Sequence, residues 1–179
     1  IVAEMLQLTE YIDLLIPRGG AELIRRVVEE ARMPAVTGGI GVCHTYIDQA
    51  ADLDKAVEIA FNAKVQRPTV CNALDTLLVH SRVAPGYLPR ITAKWAEAGV
   101  QLHADGRALS ILASLDGVNL SPASDDDWGR EFLSLTAAVK VVDSLEEAIA
   151  HIDRYGSGHS EAIVTENQAA ADRFLDDVD

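Results

Sequence analysis

Cysteine is scarce in this sequence. Cys43 and Cys71 are the only two and stand in unrelated surroundings, so there is no disulfide framework and the expectation is a reduced, cytoplasmic setting. Basic charge is scarce as well: 15 Lys and Arg stand against 28 Asp and Glu, a formal charge of −13. That balance argues against nucleic acid or an anionic membrane as partner. Long hydrophobic runs are missing, since nothing approaches the roughly 18 consecutive apolar residues of a membrane span. No basic segment leads into an apolar stretch near the start, so no secretory signal is expected. Cys43, His44, Cys71 and His80 lack the spacing of metal ligands, and no metal is expected.

What is present is an ordinary globular composition, 49% hydrophobic and 24% charged. A chain of 179 residues can form one domain with a proper core, or one domain plus a piece of another. It opens on Ile1-Val2-Ala3-Glu4 and stops at Asp179 within a patterned segment, which reads as part of a larger polypeptide.

Along the chain, strand-like and helical patterns alternate. The apolar run Tyr11–Ile16 leads through Pro17-Arg18-Gly19-Gly20 into a helical pattern from Ala21 to about Arg32. Strand, Gly-rich turn and helix aim backbone N–H groups at a phosphate, although Gly-Gly is also common turn chemistry. A strand is expected at Val42–Asp48, with Cys43 and His44 on opposite faces. Asp52 is the N-cap of a helix whose buried stripe is Leu53, Val57, Ala60, Phe61 and the stem of Lys64. This helix must stop before Pro68.

Further on, the pattern predicts a strand over Asp75–His80, a turn at Val83–Gly86 and a helix over Tyr87–Ala98 with Gly99 as its stop. Val100–His103 reads as a strand, Asp105–Leu112 as a short helix and Leu115–Asp127 as a surface loop. Then come a strand at Ala138–Val142 and a helix capped by Ser144 with Glu147 in a capping box. A strand at Ala162–Thr165 and a helix over Asn167–Asp177 complete the series, an α/β chain with a mainly parallel sheet.

Cys71 follows the Pro68 break at once and precedes an apolar strand, which is where a thiolate nucleophile is held between two regular elements. The same residue also reads as a small buried hydrophobe. His44, His80, His103, His151 and His159 show no partner in the sequence and are read as structural.

Val36-Thr37-Gly38-Gly39-Ile40-Gly41-Val42-Cys43-His44-Thr45-Tyr46-Ile47-Asp48, followed by Asn62-Ala63-Lys64-Val65-Gln66-Arg67-Pro68-Thr69-Val70-Cys71-Asn72-Ala73, resembles the gamma-glutamyl phosphate reductase family. These glutamate-5-semialdehyde dehydrogenases of proline biosynthesis belong to the aldehyde dehydrogenase superfamily. Tyr11–Gly20, Leu102–Asp105, Glu131–Leu135 and His159–Ile163 match in the same order.

The resemblance implies the end of a Rossmann-like NADP-binding domain at residues 1–36, then an aldehyde-dehydrogenase-like catalytic domain at 37–179, incomplete at its C-terminus. It implies Cys71 as nucleophile toward gamma-glutamyl phosphate, and Asn72 or Cys71 N–H groups as oxyanion donors. Glu131 and Phe132 fall where the nicotinamide ribose is held, and Arg18, Gly19 and Gly20 are expected at the cofactor. NADP, a homo-oligomer and glutamate 5-kinase are the implied cofactor and partners.

Where hydrolytic relatives carry a water-activating glutamate, this chain reads Val36-Thr37-Gly38-Gly39, which favours phosphate over water as acceptor. Two other expectations stand beside this one. One is a non-catalytic assembly module of the same fold; the other is a coenzyme-A-acylating aldehyde dehydrogenase.

Overall fold

The alternating pattern folds, in a computed structural model that describes residues 1–178, into two compact units, Ile1–Ile40 and Gly41 onward. Asp179, the last residue of the expected catalytic segment, lies outside the described residues. The first unit holds α1 (Val2–Met5) and α2 (Ala21–Glu30) around the buried side chains Leu6, Val27 and Met33. Tyr11–Ile16 contributes a single bridge, Leu15 to Ala35, with Val36 N–H donating to Leu15 C=O at 2.8 Å. α2 starts from Gly20 in extended conformation and stops short of Arg32.

The second unit contains β1 (Cys43–Ile47), α3 (Leu53–Val65), β2 (Thr76–His80), α4 (Ala84–Glu97), β3 (Gln101–Ala104) and α5 (Gly106–Leu112). After these come β4 (Leu120–Pro122), a 3₁₀ turn at Asp125–Asp127, β5 (Thr136–Val142), α6 (Leu145–Tyr155), β6 (Ser160–Val164) and α7 (Gln168–Asp177). The six strands form one parallel sheet in the order β4-β3-β5-β2-β1-β6. Successive side chains alternate faces. Ile47, Leu77, Val79, Leu102 and Val139 therefore pack with α3, α4 and α5, around Tyr87 and Trp95. On the other face Tyr46, Leu78 and Val142 meet Ile149 and Ile152 of α6 and Phe174 of α7. Covering on both faces is why β1 and β2 are buried at every position.

Local rules account for most element ends. The Asp52 carboxylate accepts the Asp54 and Lys55 N–H groups, and Gly99 takes the left-handed φ of +76° that stops α4. Two expectations are corrected. Of the turn expected at Val83–Gly86, Ala84–Gly86 is already α4, with Pro85 in its first turn, where a missing N–H leaves no helical bond unmade. The loop over Leu115–Asp127 contains β4, which ends in Pro122 at the sheet's outer edge, where a proline is tolerated. The Ser144 cap holds through Glu147 N–H at 3.2 Å, but the Glu147 carboxylate turns back to Asp143 N–H at 2.7 Å.

Candidate active site

Because all the strands run parallel, the segments that lead into them gather at one edge of the sheet. Gly41 leads into β1, the Cys71 turn into β2, Phe132 toward β5 and His159 into β6. Ligands of open α/β sheets usually sit at the opposite edge, where strands end.

Cys71 is exposed, which removes its reading as a buried hydrophobe; Cys43 is the buried cysteine. The turn between α3 and β2 is held by Val70 N–H to Arg67 C=O at 3.3 Å and Ala73 N–H to Val70 C=O at 3.1 Å. These bonds do not use the N–H groups of Cys71 and Asn72. Beneath the turn, the Cys43 thiol lies 3.2 Å from the Cys71 carbonyl oxygen. Burial above all, then the Asp75, Glu161 and Cys71 charges, push the Cys43 thiol up to about 12. It stays protonated and can donate to that carbonyl. His159 Nδ1 stands 3.7 Å from the Cys43 sulfur and 2.9 Å from Ser160 Oγ.

The base of the turn is a polar node that sequence reasoning missed. The fully buried Lys64 ammonium donates to the Leu74 carbonyl at 2.7 Å and stands 4.0 Å from Asp75. Asp75 Oδ2 accepts Cys43 N–H at 3.3 Å and Oδ1 accepts Phe132 N–H at 2.9 Å. Burial lowers Lys64 to about 8, against the pull of Asp75, and burial raises Asp75. Only the burial of the Lys64 stem was legible, from its place on the α3 stripe.

Glu131 and Phe132 are half-buried, and Phe132 lies beneath the Lys64 ammonium, 5.9 Å from its ring centre. The node therefore brings together the Cys71 turn and the Glu131–Phe132 segment. Arg18, Gly19 and Gly20 lie exposed in the first unit, at the start of α2.

Two histidines read as partnerless have carboxylate partners: His44 Nδ1 with Glu161 at 3.0 Å, and His103 Nδ1 with Asp127 at 2.9 Å. His44 and Glu161 face each other because β1 and β6 pair in that register. No helix among the described residues is long and apolar enough to cross a membrane.

No protein-family model matches the chain. Over all 179 residues it is 58% identical to gamma-glutamyl phosphate reductase of Dehalococcoides mccartyi, covering 42% of that protein. The crystal structure of gamma-glutamyl phosphate reductase from Thermotoga maritima superposes with a TM-score of 0.92 at 43% identity, over 99% of this chain and 42% of that one. A propionaldehyde dehydrogenase from Clostridium phytofermentans shares the fold, with a TM-score of 0.75 at 14% identity over 99% of this chain and 47% of that one. The chain thus spans less than half the length of the relatives it matches, and the resemblance read in its motifs is borne out.

Proposed function

We propose that this chain is the cofactor-to-catalytic stretch of a gamma-glutamyl phosphate reductase, divided as residues 1–36 of an NADP-binding domain and 37–179 of the catalytic domain. The whole protein reduces gamma-glutamyl phosphate to glutamate-5-semialdehyde and phosphate in proline biosynthesis. The observation that carries this reading is the exposed Cys71, set in a bonded turn whose own N–H and that of Asn72 are left without turn partners.

Cys71, as thiolate, attacks the acyl carbon of gamma-glutamyl phosphate. The carbon–oxygen bond to phosphate breaks, phosphate leaves, and a thioester on Cys71 remains. The Cys71 and Asn72 N–H groups receive the oxyanion that forms on the acyl oxygen. When bound, NADPH supplies the hydride that reduces the thioester. The resulting hemithioacetal collapses, the carbon–sulfur bond breaks, and Cys71 leaves as thiolate while the semialdehyde is released.

The residues present fit such a cofactor at one point. Glu131 is a half-buried carboxylate beside a backbone N–H anchored by Asp75, and a carboxylate held this way suits the two hydroxyls of a ribose. The exposed Arg18-Gly19-Gly20 turn is assigned to the cofactor on the family resemblance. A homo-oligomer and contact with glutamate 5-kinase belong to the same proposal.

The test is NADP reduction by the full-length gene product with glutamate-5-semialdehyde, with and without phosphate, for wild type and Cys71→Ala. Phosphate-dependent turnover that vanishes in Cys71→Ala is expected. Turnover that requires coenzyme A instead of phosphate would make the chain part of an acylating aldehyde dehydrogenase. Activity that survives the substitution would sink the thioester mechanism.

A further inference from the structure

The far end of the Cys71 turn is tied back to the last turn of α3 by a pair of bonds at one residue, Leu74. Leu74 N–H donates to Ala63 C=O at 2.9 Å, and Leu74 C=O accepts from the Lys64 ammonium at 2.7 Å. A helix C-terminus is the negative end of its dipole, so the α3 terminus alone is a poor neighbour for an anionic nucleophile. The ammonium placed there offsets that polarity while using no solvent-exposed surface, for Lys64 is completely buried.

The same ammonium is the cation nearest to Asp75, and Asp75 fixes two backbone groups that are far apart in sequence. One is Cys43 N–H, at the strand beneath the Cys71 carbonyl; the other is Phe132 N–H, next to Glu131. A buried carboxylate without its cation protonates or turns away, and it then ceases to accept two N–H bonds at once.

We propose that Lys64 is a positioning residue, whose ammonium closes the Cys71 turn and, through Asp75, sets that turn in register with the Glu131–Phe132 segment. The inference rests on the reading of Cys71 as nucleophile and Glu131 as a cofactor residue. It adds that the distance between acyl carbon and hydride donor is governed by a charge that touches neither. Misplacement of reacting atoms by about 1 Å costs roughly 100-fold in rate, so a small relaxation of this node is kinetically visible. The groups facing Lys64 are the Asp75 carboxylate and the Cys43 thiol, with Glu131 acting on Asp75. Burial brings the ammonium's own proton loss down to about 8, into a measurable range.

The experiment follows kcat and both KM values of the full-length enzyme from pH 6 to 10, for wild type, Lys64→Met and Lys64→Arg, with Cys71→Ala as control. Lys64→Met is expected to lower kcat roughly 10- to 100-fold with both KM values little changed. Wild-type kcat is expected to fall above about pH 8, and Lys64→Arg, which keeps its proton, to move that fall upward by about one pH unit or more.

A folded Lys64→Met enzyme with wild-type kcat overturns the proposal, and so does an alkaline fall that Lys64→Arg leaves in place. If neither variant folds, the wild-type profile decides: kcat that stays level through pH 8 to 10 overturns it. Failure of the underlying reading looks different, because then Cys71→Ala itself retains activity.

Discussion

Gly41 lies directly against Cys71. A Cβ placed on Gly41 would stand 2.5 Å from the Cys71 carbonyl oxygen, 3.1 Å from the Cys71 Cβ and 3.2 Å from the His159 ring. No real Cβ makes a contact of 2.5 Å with backbone, so even alanine must displace the turn that presents the thiol. Gly41→Ala is expected to lower kcat by about 10-fold or more, with a stability cost of about 1–3 kcal/mol. Steady-state kinetics beside a denaturant titration would separate the two effects. Wild-type kcat in Gly41→Ala would show that the turn tolerates displacement.

The two cysteines differ in exposure. Cys71 faces solvent, whereas Cys43 is buried with its thiol pushed up to about 12. Iodoacetamide at neutral pH is expected to label Cys71 and leave Cys43 unmodified until denaturant is added. Peptide mass spectrometry of the labelled chain reads this out, and equal labelling of both residues would contradict the structure.

His151 links stability to pH. It is buried, and that burial, with Lys140 and His44 beside it, lowers it from 6.5 to about 3. Lys140 Nζ lies 3.3 Å from its Nδ1, and the rings of His44, Trp128 and Tyr155 enclose it. The unfolded chain binds a proton at this residue below about 6.5 while the folded chain does not, so stability is full above that pH and declines as pH falls toward 3. Each pH unit within the window costs up to about 1.4 kcal/mol. His151→Phe, which has nothing to protonate, is expected to lose about 2 kcal/mol less than wild type between pH 7 and 5. Urea titrations at the two pH values would measure the difference, and identical slopes would refute it.

α3 carries the Cys71 turn at its far end and is capped at its start by Asp52. Asp52→Ala removes the acceptor for Asp54 and Lys55 N–H and is expected to cost about 1 kcal/mol. Because the cap is a whole helix away from Cys71, kcat is expected to stay at the wild-type value. A thermal melt and an activity assay on the same preparation check both halves.

Elements with local causes were legible in the sequence. Asp52 and Gly99 announce helix ends through a side chain and through backbone freedom, and both hold. β4 was hidden because three residues carry no periodicity, and the start of α4 because Pro85-Gly86 resembles a turn more than a first helical turn. The candidate site was legible as a residue, Cys71, but not as a place. Asp75 meets Cys43 across 32 positions and Phe132 across 57, and His44 meets Glu161 across 117. Such meetings follow from the order in which strands lie side by side, which no local pattern encodes.

That order also dictates a timetable. β5 is inserted between β2 and β3, so the β1–β2 pair and the β3–β4 pair share no strand until Thr136–Val142 is available. During synthesis, the stretch from the end of β2 at His80 to the end of β5 at Val142 takes roughly 3 to 12 seconds to emerge. Over that interval the β1–β2 pair waits with an open edge, joined once Pro122 has emerged by a β3–β4 pair with an open edge of its own. A nascent chain stalled before β5 is therefore the species most exposed to aggregation, and the rate at which a cell reads this stretch bears on its yield.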